Sequence, residues 1–540
     1  MLNLKKINRK VTLIFSIAIV LCSCTKLDDK NYTQINSSQF TPVSSDLVSL
    51  IGPAYGAWRN VLGYNGSSGF FRTEEATADE VVIPARPTGW VDDGSYRRLH
   101  EHKWTNTDGT GGNWSNAYVG ITNCNRVIFQ IESGKIPIAS GKDNILAELR
   151  ALRASFYYVL CDLYGNVPIV TKFDVAAGFL AEQNTRQQVY DFIIKELTEA
   201  LPLLSDDASQ LYYGRFNKWA AQAVLAKMYL NAGIYTGTTQ WAKCIEACNA
   251  IIDSKKYTLS PTQRSIFATD NSGNSEIIFA VPYDAIYAPG FNLHMETLNP
   301  ENQKTYNLQS SAWGGIAAVP QYINTYDPED LRLKENWIQG QQYTSTGELL
   351  IGSFGLNNGK PLVYINVVPG VDSTEENHGY RLGKFEYKLG ATINLSNDVP
   401  LFRLTDVMMM KAESLLRTSM GDDAAVLVSA IRARSFPTNA AKATVTAAQL
   451  QAGSAYDYGR RDYKVTTHEG GEDVVFGRFF DELGWEFNQE PHRRQDMLRF
   501  GIFTKKSWLS HAPTGDYRNL MPIPAAVLAT NPKLKQNPGY

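Results

Sequence analysis

The sequence predicts a mainly α-helical protein built from repeated helical hairpins, with long loop-rich insertions that carry short strands. Three observations predict it. Helical apolar periodicity recurs in paired segments along the chain, which stack because one hairpin buries only part of its apolar face. Between the pairs, residues 63–113 and 255–400 turn to Gly, Pro, Asn, Thr and Tyr with only short apolar runs. The 540 residues are 44% hydrophobic and 20% charged, enough for a large core, which excludes global disorder.

Lys5, Lys6, Arg9 and Lys10 precede an apolar run over 11–21 and then small residues, the order of a secretory signal. The run is too short to span a hydrocarbon core of about 30 Å. Leu21-Cys22-Ser23-Cys24 resembles the lipobox of bacterial lipoproteins, which implies loss of residues 1–23 and a lipid on Cys24. Several acyl chains would anchor the protein where one holds only marginally. Residues 24–45 are polar and read as a tether, and 46–540 as the folded part. Losing 1–23 takes the formal charge from −2 to about −6, with no basic excess for nucleic acid. Cys124, Cys161, Cys244 and Cys248 are too scattered for a disulfide framework, and the last two read as small core residues.

Residues 46–62 with 114–131 give a first, weaker helix pair, split by the 63–113 insertion. In the second pair, Leu149, Leu152, Phe156, Val159, Leu160 and Leu163 fall on one helical face, and Gly165 and Pro168 follow as stop signals. Its partner opens at Thr185, with Gln188 three residues on as a capping box. The third pair, 219–232 and 241–252, sets Leu225, Ala226 and Tyr229 against Trp241, Cys244 and Cys248, in the large-small-aromatic order of a tetratricopeptide repeat. The fourth runs over 402–418 and 422–434.

No catalytic signature is present: there is no H-E-x-x-H, no G-x-S-x-G and no phosphate-cradling loop. His100-Glu101-His102 has the wrong spacing for two ligands on one helical face. No cofactor is expected; carboxylates are plentiful enough for Ca²⁺, but no calcium-loop spacing occurs. The adjacent acids Glu74-Glu75, Asp92-Asp93 and Glu375-Glu376 read as solvated surface. The loop aromatics are more informative. Trp90 sits among turn residues from Arg86 to Gly94, and Trp313 precedes Gly314-Gly315. Tyr283, Tyr287 and Phe291 occupy another Pro/Gly-containing loop. Such a ring either plugs its loop onto the scaffold or offers a flat face to a sugar, with Arg86 and Asp92 at hand for hydroxyl groups.

The resemblance that decides between these readings lies in blocks spread over nearly the whole chain. They are residues 148–158 with 164–168, 215–230, 402–413, and 481–488 with Arg493-Arg494. Most distinctive is the end, Pro522-Ile523-Pro524 followed by 531–540. Through them the chain resembles the SusD/RagB family, surface glycan-binding lipoproteins of Bacteroidota nutrient-uptake systems. The resemblance implies a SusD-like fold, one α-rich domain on four tetratricopeptide-like helix pairs with the insertions packed against them. It implies an outer-membrane lipoprotein facing the exterior, seated as a non-catalytic lid on a SusC-like TonB-dependent transporter to which it delivers an oligosaccharide. It supports Trp90 as a ligand residue, Trp313 less firmly; Arg86, Asp92, Tyr287 and Phe291 complete the candidates. The alternatives from other classes are a glycoside hydrolase and a tetratricopeptide-type scaffold for protein or peptide. Arg150, Arg153, Asp481, Glu486, Arg493 and Arg494 read as scaffold ion pairs, and the carboxyl-terminal prolines as a tie for the chain end.

Overall fold

The computed structural model describes residues 44–64, 68–108 and 111–540; the expected signal, Cys24 and most of the tether lie outside the described residues. Eight long helices pack in chain order: α1 (Ser44–Leu62), α3 (Gly111–Glu132), α4 (Lys142–Leu163), α5 (Arg186–Ala200), α6 (Lys218–Leu230), α7 (Trp241–Ser254), α8 (Leu404–Leu416) and α9 (Gly421–Arg432). Each touches the next. The apolar stripe of α4 explains why: Leu149, Leu152, Phe156, Val159, Leu160 and Leu163 are all fully buried. Its end is set by Gly165 at φ +69°, a left-handed position that costs glycine nothing. Thr185 caps α5 with the reciprocal Gln188 bond of a capping box, and Asn217 caps α6 through the N–H groups of Trp219 and Ala220. The four cysteines are free and buried.

The fourth pair starts later than its sequence predicts. Residues 402–403 belong to a strand, β8 (Val399–Arg403), antiparallel to β2 (Ile277–Val281), with Val281 opposite Val399. Three further two-stranded pieces order the insertions: β1 (Val81–Val82) with β3 (Ala317–Ala318), β4 (Trp337–Ile338) with β7 (Arg381–Leu382), and β5 (Gly340–Gln341) with β6 (Val363–Tyr364). One apolar cluster contains residues from Ala54 to Leu534, so the insertions share the interior of the helices.

What fixes the insertions is buried charge. Arg403 reaches Glu276 and Glu486 at 2.9 Å and Glu490 at 2.8 Å; Arg434 reaches Glu276 and Glu486 at 2.7 Å; Arg332 reaches Glu486 at 3.2 Å and Asp330 at 2.7 Å. Burial alone would raise the Glu486 carboxyl, but Arg434, Arg403 and Arg332 outweigh it and hold it well below the usual carboxylate range. These charges converge on α10 (Gly477–Phe487) and the turn before α11 (Arg493–Arg499). Arg150 and Arg153 pair with Glu196 as expected. Arg493 reaches Asp79 at 2.7 Å and Arg494 reaches Asp162 at 2.7 Å. Asp481 departs from the expected network: its carboxylate accepts the Ser454 hydroxyl and the Ala455 N–H, and Arg478 and Arg493 act on it only at longer range.

The acid pairs need a larger correction. Glu74 and Glu75, on α2 (Phe70–Ala76), are fully buried rather than solvated. Glu74 meets Arg494 at 3.3 Å, and Glu75 accepts the N–H groups of Gln489 and His492, while burial pushes it up to about 8. Glu376 is buried too, accepting the Thr88 N–H, whereas Asp92 and Asp93 are exposed. His100 and His102 are interior residues beside Trp508 and His511, and burial pushes both down to about 3. The chain end is tied as expected. The Asn537 amide donates to the carbonyls of Tyr164 and Met521, and the Tyr540 hydroxyl accepts from the Trp104 indole.

Candidate ligand-binding site

Three stretches distant in sequence meet around Trp90: the 86–96 loop, residues 296–315, and the turn at Phe354. The first departs from ordinary backbone geometry. Trp90, Asp92 and Asp93 all adopt positive φ (63°, 39° and 56°), which costs a non-glycine residue on the order of 1–3 kcal/mol. Strain of this kind persists only where surrounding contacts over-determine it.

Those contacts are visible. The Trp90 indole donates to the Trp313 carbonyl at 2.7 Å, so the two tryptophans are directly coupled. Beneath the ring lies Gly315, where a Cβ would stand 2.5 Å from the indole atoms; no other residue lets the ring lie there. The Gly315 and Ile316 N–H groups bond the Glu296 carbonyl, and Trp313 N–H bonds Met295, which seats this turn on the short helix Leu293–Thr297. Arg86 passes underneath. Its guanidinium donates to the carbonyls of Gly315 at 3.1 Å, Glu375 at 2.7 Å and His378 at 3.2 Å.

The result is an open cavity of about 740 Å³. Aromatic faces dominate it: Trp90, Trp313, Tyr96 and Phe354, with Trp90 and Tyr96 centroids 5.6 Å apart. Trp313 is 40% exposed and Phe354 is exposed, whereas Trp90 is half-buried. Thr88, Asp92 and Glu296 supply the polar lining. Glu296 is only 3% exposed and ion-paired with Arg72, whose guanidinium lies 5.1 Å from the Tyr96 centroid; burial still pushes the Glu296 carboxyl up to about 7. The chemistry available is stacking on an apolar face, with hydrogen bonds at its rim.

The structure therefore brings Trp90, Asp92 and Trp313 together and separates them from the other candidates. Arg86 is 5% exposed with its donors committed to backbone, so it supports the loops from below instead of facing the cavity. Phe291 is fully buried between Tyr64, Tyr283 and Phe385, an interior ring rather than a ligand face. Tyr287 is 89% exposed at the tip of the Asp284–Ala288 turn, off the cavity lining. Sequence reading missed Tyr96, Glu296 and Phe354. Phe354, between Ser353 and Gly355, carried the same loop-aromatic signal as Trp90; Glu296 carried none, because its place depends on Arg72 more than two hundred residues away.

No group of three or more His, Cys, Asp or Glu suited to a metal occurs among the described residues, and no described helix is long and apolar enough to cross a membrane. Comparison with known proteins identifies the family and the fold. A family model described as "Starch-binding associating with outer membrane" matches residues 27–230, and one described as "SusD family" matches residues 275–540. The chain is 25% identical over 525 residues to the starch-binding protein SusD of Bacteroides thetaiotaomicron, covering 88% of this chain and 86% of that protein. A laminarin-binding SusD-like protein superposes with a TM-score of 0.69 at 20% identity, over 93% of this chain and all of the other. Surface glycan-binding protein A from Bacteroides fluxus superposes at 0.67 and 18% identity, over 92% of this chain and all of the other. With both halves matched and the mainly helical fold shared, the chain belongs to the SusD/RagB family.

Proposed function

We propose that this protein is a surface glycan-capture subunit: it binds an oligosaccharide in the Trp90–Trp313 cavity and passes it to a SusC-like TonB-dependent outer-membrane transporter, without breaking a bond. The observation that carries the reading is the Trp90 ring, held over Gly315 on a strained loop and bonded through its indole to the Trp313 carbonyl, so that one aromatic face is fixed beside the exposed Trp313 ring before any ligand arrives. A fixed face spares the ordering cost that a mobile loop would add to binding. Cys24 would carry the lipid that holds the protein at the outer membrane, facing the exterior; the family model's wording supports the membrane, and the starch- and laminarin-binding relatives support the glycan.

The test is a glycan array on the mature protein followed by calorimetry. Trp90→Ala and Trp313→Ala should each weaken the ligand found by roughly tenfold, as loss of a stacking face implies, with thermal stability nearly kept. Unchanged affinity in the double variant would sink the site. Co-purification of a transporter with the tagged protein from native membranes tests the partner; recovery of soluble proteins only would speak for a peptide-binding scaffold.

One observation favours hydrolysis enough to test it: Glu296, with its carboxyl raised to about 7, lines a cavity that also holds Asp92. A general acid must reach the glycosidic oxygen, however, and Glu296 is buried against Arg72. Incubation with the bound glycan should release no new reducing ends, with or without chelator; release that Glu296→Gln abolishes would establish the hydrolase.

A further inference from the structure

A second cavity of about 700 Å³ takes part of its wall from the segment that also borders the first. Pro300 lines the first cavity, and Thr305 and Tyr306 line the second. The segment between them is helical, a turn over Pro300–Asn302 running into Gln303–Tyr306. Five residues of such backbone advance about 8–10 Å, a gap a short oligosaccharide bridges.

The two cavities also share a second wall. Residues 340–364 fold as a small antiparallel meander, with Gly340 opposite Tyr364, Tyr343 opposite Leu349 and Ile351 opposite Pro361. Tyr343 lines the second cavity and Phe354 the first. Leu349 and Ile351, between them in the sequence, are exposed and give the meander an apolar edge. At the meander's tip Gly355 approaches Pro87 of the Trp90 loop closely, which locks this edge to the first cavity.

The lining of the second cavity speaks to its ligand. Charge is balanced, Arg264 and Lys334 against Glu335 and Glu386. Gln339 and Gln341 donate their amide N–H groups to the carbonyls of Leu333, Gln342 and Leu362, which leaves both amide oxygens as free acceptors. The hydroxyls of Tyr306 and Tyr343 add further donors beside aromatic faces. Anions or cations would call for a lining of one sign. A mixture of neutral donors, acceptors and ring faces suits a neutral polyhydroxylated chain.

We infer that this cavity is a second saccharide subsite, which takes a further stretch of the same neutral glycan and makes the protein selective for chain length. The inference rests on the capture reading above. It is tested with the whole mature protein and a panel of neutral α-glucan, β-glucan, xylan, mannan and galactan oligosaccharides, each as disaccharide and as long chain. Tyr343→Ala and Gln339→Ala, both at solvent-accessible side chains, are checked for native thermal stability first. Each should weaken the long chain of the bound class by roughly five- to tenfold, the scale of one lost ring face or hydrogen-bonding group, and leave the short chain unchanged. Trp90→Ala should weaken both lengths. If Trp90→Ala weakens binding while Tyr343→Ala and Gln339→Ala change neither length, the second subsite falls and the capture reading stands. If the wild-type protein binds no chain of the panel, both fall together.

Discussion

The helices over 111–254 and the insertion over 255–400 are held by different forces. In the first, α3 to α7 close their backbone bonds within themselves and meet through apolar stripes such as Leu149 to Leu163. The second has few regular elements, and its backbone is satisfied by side chains from afar. Gln489 donates to the Asn336 carbonyl, Asn271 to that of Asp398, and Asn397 to those of Phe267, Ala268 and Glu386. The contrast teaches that the loops bearing the site are set by buried polar geometry, which has few equivalent arrangements, while the helices rest on non-directional packing that tolerates repacking.

The sharpest way to break that comparison is at Glu486. Glu486→Ala removes the carboxylate shared by Arg403, Arg434 and Arg332 and should cost about 3–5 kcal/mol in chemical denaturation, because three buried cations lose compensation. A loss smaller than that of a two-carbon trim in the helices, such as Val159→Ala, would undo the contrast. Arg86→Met comes next: it strands the carbonyls of Gly315, Glu375 and His378 and should cost about 2–4 kcal/mol, with loss of glycan binding although Arg86 lines no cavity. Retained binding in a destabilised variant would mean that the aromatic faces need no such support.

Acid should reveal the interior histidines. His100 stays neutral in the fold because burial takes it down to about 3, while the unfolded chain takes a proton near pH 6.5. A folded pKa below the unfolded one leaves stability untouched above pH 6.5 and erodes it as pH falls toward 3. His100→Phe should therefore reduce the loss between pH 6.5 and 5 by about 2 kcal/mol, read from melting curves across that range. An unchanged slope would place the proton elsewhere. The smallest effect is local: Gly315→Ala should lift the Trp90 ring and weaken glycan by several-fold, about 1 kcal/mol, with the helices unaffected.

The same division decides what could be read from the sequence. Periodicity, caps and stops are local, so the α4 stripe, the Thr185–Gln188 box and the Gly165 stop were legible. Buried charge is not local. Glu74-Glu75 resembles any exposed acid pair until Arg494 is brought to it from 420 positions away. Phe402-Arg403 has helical neighbours, yet pairing with β2 wins them for a strand. At the site, Trp90 and Phe291 gave the same signal, a ring among turn residues. Only the packing of Tyr64 and Phe385 around one of them separates a core ring from a ligand face. In Trp313-Gly314-Gly315 the second glycine marks where another ring lies flat.

The pairings of Asp79 with Arg493 and of Glu74 with Arg494 also carry a message about time. They join segments more than four hundred residues apart, so the loop that presents Trp90 cannot reach its final shape until Arg493 and Arg494 have emerged. Long loop closures of this kind are slow. The helices can assemble while the chain is still being made, whereas the surface around Trp90 is finished only when Arg493 and Arg494 arrive. A chain ending shortly before Arg493 would keep every aromatic of the cavity and still lack the surface they form.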